Sequence, residues 1–193
     1  MRCFVLLFLG LHVVHTTITQ PACKRLLWFT SLSLPHHTDP KTADYIHYLE
    51  VALLSARNAP SLVPVLVYDG PASPLTTWFE SMGGLVIFHH LSFYNELRDA
   101  EDAGHLEPGH ADFVRGTYLR LDIPYLLPTV IQHVGEGIDD ANFLYTDTDI
   151  MFFHDINSCS FPQPHIALMV LRRYFFCVSC LVFTSKQSPG PRV

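Results

Sequence analysis

Ala141-Asn-Phe-Leu-Tyr145-Thr-Asp147-Thr-Asp149-Ile-Met-Phe-Phe153 runs from an apolar stretch directly into two aspartates and out into a second apolar stretch. A short apolar run bounded by polar residues reads as a buried strand. Acids that follow such a strand at once lie at the carboxyl edge of an α/β sheet, where ligands bind. The triplet alone says little, because on the order of one Asp-x-Asp is expected by chance in a chain of this size. Two neighbouring carboxylates at that edge are costly unless a positive charge neutralises them. A divalent cation does so, since Mn²⁺ and Mg²⁺ take carboxylate and phosphate oxygens together and can neutralise a leaving diphosphate. The alternative is a pair of loop acids capping turns.

Working back from this stretch, short apolar runs alternate with helix-like segments, the pattern of strands joined by crossover helices in a mostly parallel sheet. Arg25 to Ser33 reads as the first strand, closed by a loop from Leu34 to Pro40. Asp44 to Arg57 carries apolar residues at helical spacing and stops at Asn58-Ala-Pro60. Leu62 to Tyr68 is a second strand running into the turn Asp69-Gly-Pro71, where Asp69 reads as a turn acid. A short helix around Leu75 to Met82 ends at Gly83-Gly84, and Leu85 to Phe88 is a third strand. The polar segment Asn95 to Asp112 reads as a loop, and Phe113 to Leu127 as a helix ending before Pro124 or Pro128.

The run Arg115-Gly-Thr-Tyr-Leu-Arg-Leu-Asp-Ile-Pro124, a spacer, and Phe143-Leu-Tyr-Thr-Asp-Thr-Asp-Ile-Met-Phe-Phe-His-Asp-Ile156 together resemble the core of the family 8 and related GT-A glycosyltransferases. The resemblance covers about Arg25 to Pro164 and implies a Rossmann-like, mostly parallel sheet flanked by helices, of the nucleotide-diphospho-sugar transferase type. It implies that Asp147 and Asp149 hold Mn²⁺ or Mg²⁺ against the nucleotide diphosphate, with Asp147 also near the ribose. Arg120 matches the arginine of the family's Arg-Leu helix, which faces the donor; otherwise it pairs with an aspartate. Thr30 and Ser31 match the position where the nucleotide base and ribose bind; otherwise they are loop-capping hydroxyls. The implied donor is a nucleotide-diphospho-sugar, a UDP-sugar before others, and the acceptor is unknown. Retention of the anomeric configuration is implied by the family alone.

The resemblance fades from about Ile166, so the sequence divides into residues 1–22, a donor-binding half-domain at 25–164 and an atypical tail at 165–193. The family's later strands, acceptor region and late metal-site histidine are not recognisable, and a sheet lacking those strands is expected to be incomplete at its C-terminus and to leave an open edge. Two other readings stay open. A haloacid-dehalogenase-type phosphatase also places Asp-x-Asp after a strand, but it needs a downstream lysine and acids, and only Lys186 follows. A non-catalytic binding or scaffold protein on a degenerate transferase core is the other.

Totals set outer limits. A hydrophobic fraction of 49% over 193 residues is that of a globular chain with a sizeable core. The net charge of −6, with no basic run, argues against nucleic acid as a partner. The 12 histidines are scattered and form no zinc scaffold. Cys3, Cys23, Cys159, Cys177 and Cys180 are odd in number and show no repeated spacing, so they do not read as a disulfide framework. Arg2 followed by the apolar run Cys3 to Val14, interrupted by His12, has the order of a signal peptide or short anchor. That segment places the protein in the secretory lumen or outside the cell, with possible membrane association and Mn²⁺ as metal; without it the chain is cytoplasmic and Mg²⁺ is equally suitable.

Overall fold

A computed structural model describes residues 23–34, 41–160, 167–170 and 179–184. The signal-like segment 1–22, most of the Leu34–Pro40 loop, Arg172-Arg173 and Cys177 lie outside the described residues. The chain forms β1 (Arg25–Ser33), α1 (Lys41–Ser55), β2 (Leu62–Asp69), α2 (Pro74–Ser81) and β3 (Leu85–Phe88), then α3 (Tyr94–Asp102), α4 (His110–Tyr118), α5 (Ile123–Val134) and β4 (Ile138–Tyr145). Two short strands follow, β5 (Ala167–Val170) and β6 (Ser179–Thr184).

The sheet order is β3-β2-β1-β4-β6-β5. The first four positions are parallel, and β6 and β5 are antiparallel additions on the far side of β4. The side of β4 expected to be open is therefore paired with β6. An α/β fold with a mostly parallel, helix-flanked sheet is what the strand–helix alternation predicts.

β1 is central and buried along almost its whole length, so both of its faces are apolar. Leu26, Trp28 and Leu32 point to one side, where Leu49, Ala52 and Leu53 of α1 and Phe79 of α2 cover them. Leu27 and Phe29 point to the other, against Leu119, Ile123, Leu127 and Val130. Ile150 and Phe152, just past β4, return onto the first face, and Phe152 meets the Trp28 ring edge-on at 4.8 Å.

Three sequence expectations are corrected. The Asn95–Asp112 segment is helical at both ends rather than a loop. α3 buries no residue fully; Tyr94 and Leu97 give its nine mostly polar residues a short, half-buried apolar face, too brief to stand out as periodicity. Its Glu101 carboxylate accepts from the Gly109 and Ala111 amides, supplying the cap that α4, starting after a glycine, does not have. The Phe113–Leu127 helix is in fact α4, a 3₁₀ turn at Leu119–Leu121, and α5. Pro124 opens α5, where its missing N–H costs nothing, and Pro128 lies within it. The cysteines do include a disulfide, Cys23–Cys159, across 136 residues. Local spacing cannot reveal a pair that only the fold brings together. The bond joins the start of β1 to the segment after β4, where Ser158 N donates to Lys24 O and Lys24 N donates to Ser158 Oγ.

Candidate donor and metal site

In the parallel part of the sheet the chain leaves β1 in one direction, to β2 and β3, and then returns to the other side as β4. The reversal lies between β1 and β4. Crevices at the carboxyl ends of strands flanking such a reversal are where open α/β sheets bind ligands. Thr30 and Ser31 are in the last turns of β1, and Asp147 and Asp149 follow β4, so the sequence-predicted residues of both strands converge on this reversal.

Buried hydrogen bonds set the path of the chain into the acids. Thr146 N donates to Phe29 O, extending the β1–β4 ladder one step past Tyr145, and Trp28 Nε1 donates to Thr146 Oγ1 at 2.8 Å. Thr146 and Thr148 are buried, whereas Asp147 and Asp149 are half-buried. The Tyr145 hydroxyl donates to Asp147 Oδ1 at 3.3 Å and lies 2.9 Å from Ser31 Oγ, which is also 2.8 Å from Gly116 O. Burial holds the Tyr145 phenol protonated, well above its ordinary pKa.

Burial also pushes the Asp147 carboxyl above the usual carboxylate range. Arg120 opposes this, Asp149 adds to it by like-charge repulsion, and the Tyr145 hydrogen bond opposes it. Arg120 sits on the 3₁₀ turn between α4 and α5, half-buried, near enough for its charge to act on both Asp147 and Tyr145, and makes no ion pair within 4 Å among the described residues. One oxygen of Asp149, Oδ1, is buried with no hydrogen-bond partner among the described residues, and so are the hydroxyls of Thr30 and Ser33.

A buried carboxyl oxygen with no donor can be satisfied by a cation, so Asp149 and Asp147 fit a hard divalent metal. Among the described residues no third His, Cys, Asp or Glu joins them. The remaining coordination positions therefore suit phosphate and water oxygens, the usual supplement at Mg²⁺-type sites.

No protein-family model and no curated protein matches this chain. The site rests on its own geometry.

Beside it lies a second constellation that periodicity did not single out. Asp69 ends β2 as expected, but it is buried rather than a solvated turn acid. Arg115 of α4, also buried, donates Nη2 to Asp69 Oδ1 at 2.9 Å and Nε to Asp69 Oδ2. The same guanidinium donates to His90 Nδ1 at 2.6 Å and stacks over the Tyr94 ring at 4.4 Å. The signal was available in Arg115-Gly116: Gly116 lets α4 approach the end of β1, since a Cβ there would meet Ser33 N at 3.2 Å.

The raised carboxyl of Asp147 has a consequence for stability. A folded-state pKa above the unfolded value favours the fold below the ordinary aspartate range, and that benefit is lost as pH rises through the folded value. At neutral pH the anion therefore costs the metal-free fold. Asp147→Asn should raise the melting temperature in a chelator at pH 7, with the gain shrinking on acidification to pH 4. Calorimetric scans at the two pH values check this, and a lower melting temperature for the variant at pH 7 would contradict it.

Proposed function

We propose that this chain carries the nucleotide-sugar-binding half of a GT-A-type glycosyltransferase, of the family 8 kind, working with a divalent cation. The observation that carries this reading is the Asp147–Asp149 pair at the β1–β4 reversal, with a buried, unpartnered oxygen on Asp149. A phosphate-rich donor and its cation would satisfy that oxygen, and Arg120 supplies forked donors suited to phosphate oxygens on the same side. The unpartnered Thr30 hydroxyl, buried at the end of β1, suits a polar group of the nucleotide.

In this reading Asp149 is the principal protein ligand to Mn²⁺ or Mg²⁺, and Asp147 is the second ligand and lies toward the ribose. A cation held by Asp149 and Asp147 would supply charge neutralisation to a leaving diphosphate. Arg120 orients the diphosphate and keeps part of its charge compensated, and the buried wall of Trp28, Thr146 and Thr148 keeps the acids from swinging away. The assignment is to donor binding. The acceptor, the sugar and the transfer step itself belong to the wider family reading, which implies retention.

The disulfide supports an oxidising compartment, in accord with the signal-like first segment, and so favours a secretory location and Mn²⁺. No helix among the described residues is long and apolar enough to cross a membrane.

Thermal denaturation tests the reading: UDP and Mn²⁺ together should raise the melting temperature more than the sum of each alone, and Asp147→Ala should abolish the excess. Purely additive shifts in the wild type would count against a shared metal–diphosphate site.

A further inference from the structure

Ser31 matches the base- and ribose-binding position of the resemblance, yet its hydroxyl is already engaged inside the protein. It lies 2.8 Å from Gly116 O and 2.9 Å from Tyr145 Oη, and the residue is buried. Tyr145 Oη is in turn 3.3 Å from Asp147 Oδ1. Two hydroxyl protons serve these three contacts, so Ser31, Tyr145 and Asp147 are hydrogen-bonded in series along one line when Ser31 gives its proton to Tyr145 Oη rather than to Gly116 O.

The protons on this line are constrained. A carbonyl and a carboxylate only accept, and each hydroxyl has one proton to give. Asp147 is the stronger acceptor for the phenol because the bond is charge-assisted. With Tyr145 donating to Asp147, the Ser31 proton goes either to Tyr145 Oη or to Gly116 O. No proton on the line is left for a nucleotide.

Packing leaves little freedom to rearrange. The Tyr145 ring is almost fully buried, and Gly116 keeps α4 close enough to β1 for the Ser31 contact, where a Cβ would press on Ser33 N at 3.2 Å. Groups that hold a metal ligand from behind in this way fix which of its oxygens is presented.

We infer that Ser31 and Tyr145 are positioning residues for Asp147: the line holds Oδ1 and leaves Oδ2 to the cation, and Ser31 supports donor binding only through Tyr145 without touching the nucleotide. This rests on the donor-site reading above. The β1 hydroxyls that keep no partner among the described residues, and so can still accept one from a nucleotide, are those of Thr30 and Ser33.

The test is a double-mutant cycle on the full chain with Ser31→Ala, Tyr145→Phe and the pair, each removing oxygen atoms only. Affinity for Mn²⁺ alone is read by electron paramagnetic resonance, and affinity for UDP by calorimetry with and without Mn²⁺, with near-UV circular dichroism reporting packing. Each single variant should weaken Mn²⁺ binding about tenfold, at the low end for groups behind a metal ligand. The double variant should be no weaker than Tyr145→Phe, because the two act as one unit. Ser31→Thr, which keeps the hydroxyl, should restore binding, and UDP affinity without metal should not change in any variant.

A Ser31→Ala loss that persists in full on top of Tyr145→Phe, or that appears in UDP binding without metal, overturns this inference and leaves the donor site standing. Unchanged Mn²⁺ affinity in Tyr145→Phe overturns it as well. A folded wild type that binds no Mn²⁺ overturns the donor-site reading, and this inference falls with it. Should Tyr145→Phe fail to fold, the Ser31→Ala and Ser31→Thr comparison decides alone: a metal-specific loss that threonine restores supports the inference, and a metal-independent loss of UDP refutes it.

Discussion

Arg115→Met should lower the free energy of unfolding by about 3–5 kcal/mol, the range for removing one member of a buried ion pair. Asp69 lies at the end of β2 with almost no solvent exposure, and two of its hydrogen bonds come from the Arg115 guanidinium. Without Arg115 the carboxylate would keep a long contact to the Leu91 amide at 3.4 Å, and His90, whose Nδ1 accepts from Arg115, would have to take a proton on that nitrogen to donate to it. Methionine preserves much of the volume and the contact with the Tyr94 ring, so the loss isolates the uncompensated charge. Adding Asp69→Asn should recover part of the stability, since the orphaned anion is then gone. Urea denaturation of the three variants measures this. A loss below about 1 kcal/mol for Arg115→Met would mean that the pair behaves like a solvated surface bridge.

Opening the Cys23–Cys159 bond is the second large effect. The bond closes 136 residues, nearly the whole described fold, and long closed loops lose the most unfolded-state entropy. Cys23→Ser with Cys159→Ser, or reduction of the wild type, should cost about 3–5 kcal/mol. The segment it ties down begins just after the acid pair. Phe152 packs on Trp28, Phe152 N donates to Ser55 Oγ, and the Asp155 carboxylate accepts from Ser61 N and Oγ. Those contacts should keep this segment in place after reduction, so the loss is one of global stability rather than of the local structure around Asp149. Denaturation with and without a thiol reductant decides it; equal midpoints would show that the bond contributes nothing.

The parts of the fold that were legible in the sequence are those whose burial is two-sided or strictly periodic. β1, β2 and β3 read directly as apolar runs, and β4 differs only in starting three residues before Ala141, at Ile138. α3 was not legible because its apolar face is only Tyr94 and Leu97 in nine mostly polar residues, with no side-chain cap to mark its start. α5 was misjudged through Pro128, which the helix tolerates in its interior. The disulfide and the Asp69–Arg115 pair depend on which ends of which elements meet; Arg115-Gly116 marks a close approach of α4, but no local pattern names the partner. The same is true within the candidate site. Asp147, Asp149 and Arg120 stand out in a linear motif, whereas the Ser31–Tyr145 contact exists only because β1 and β4 are neighbours in a parallel register that pairs Phe29 with Tyr145.

The central claim is that the two acids form a metal-dependent diphosphate site. Calorimetric titration of the full chain with UDP, with and without Mn²⁺, beside an Asp147→Ala, Asp149→Ala double variant, tests it most directly. UDP should bind the wild type much more tightly in the presence of Mn²⁺ than in its absence, and that metal-dependent gain should disappear in the double variant. Binding of UDP by the double variant with undiminished Mn²⁺ dependence, or no binding by a folded wild type, would contradict it.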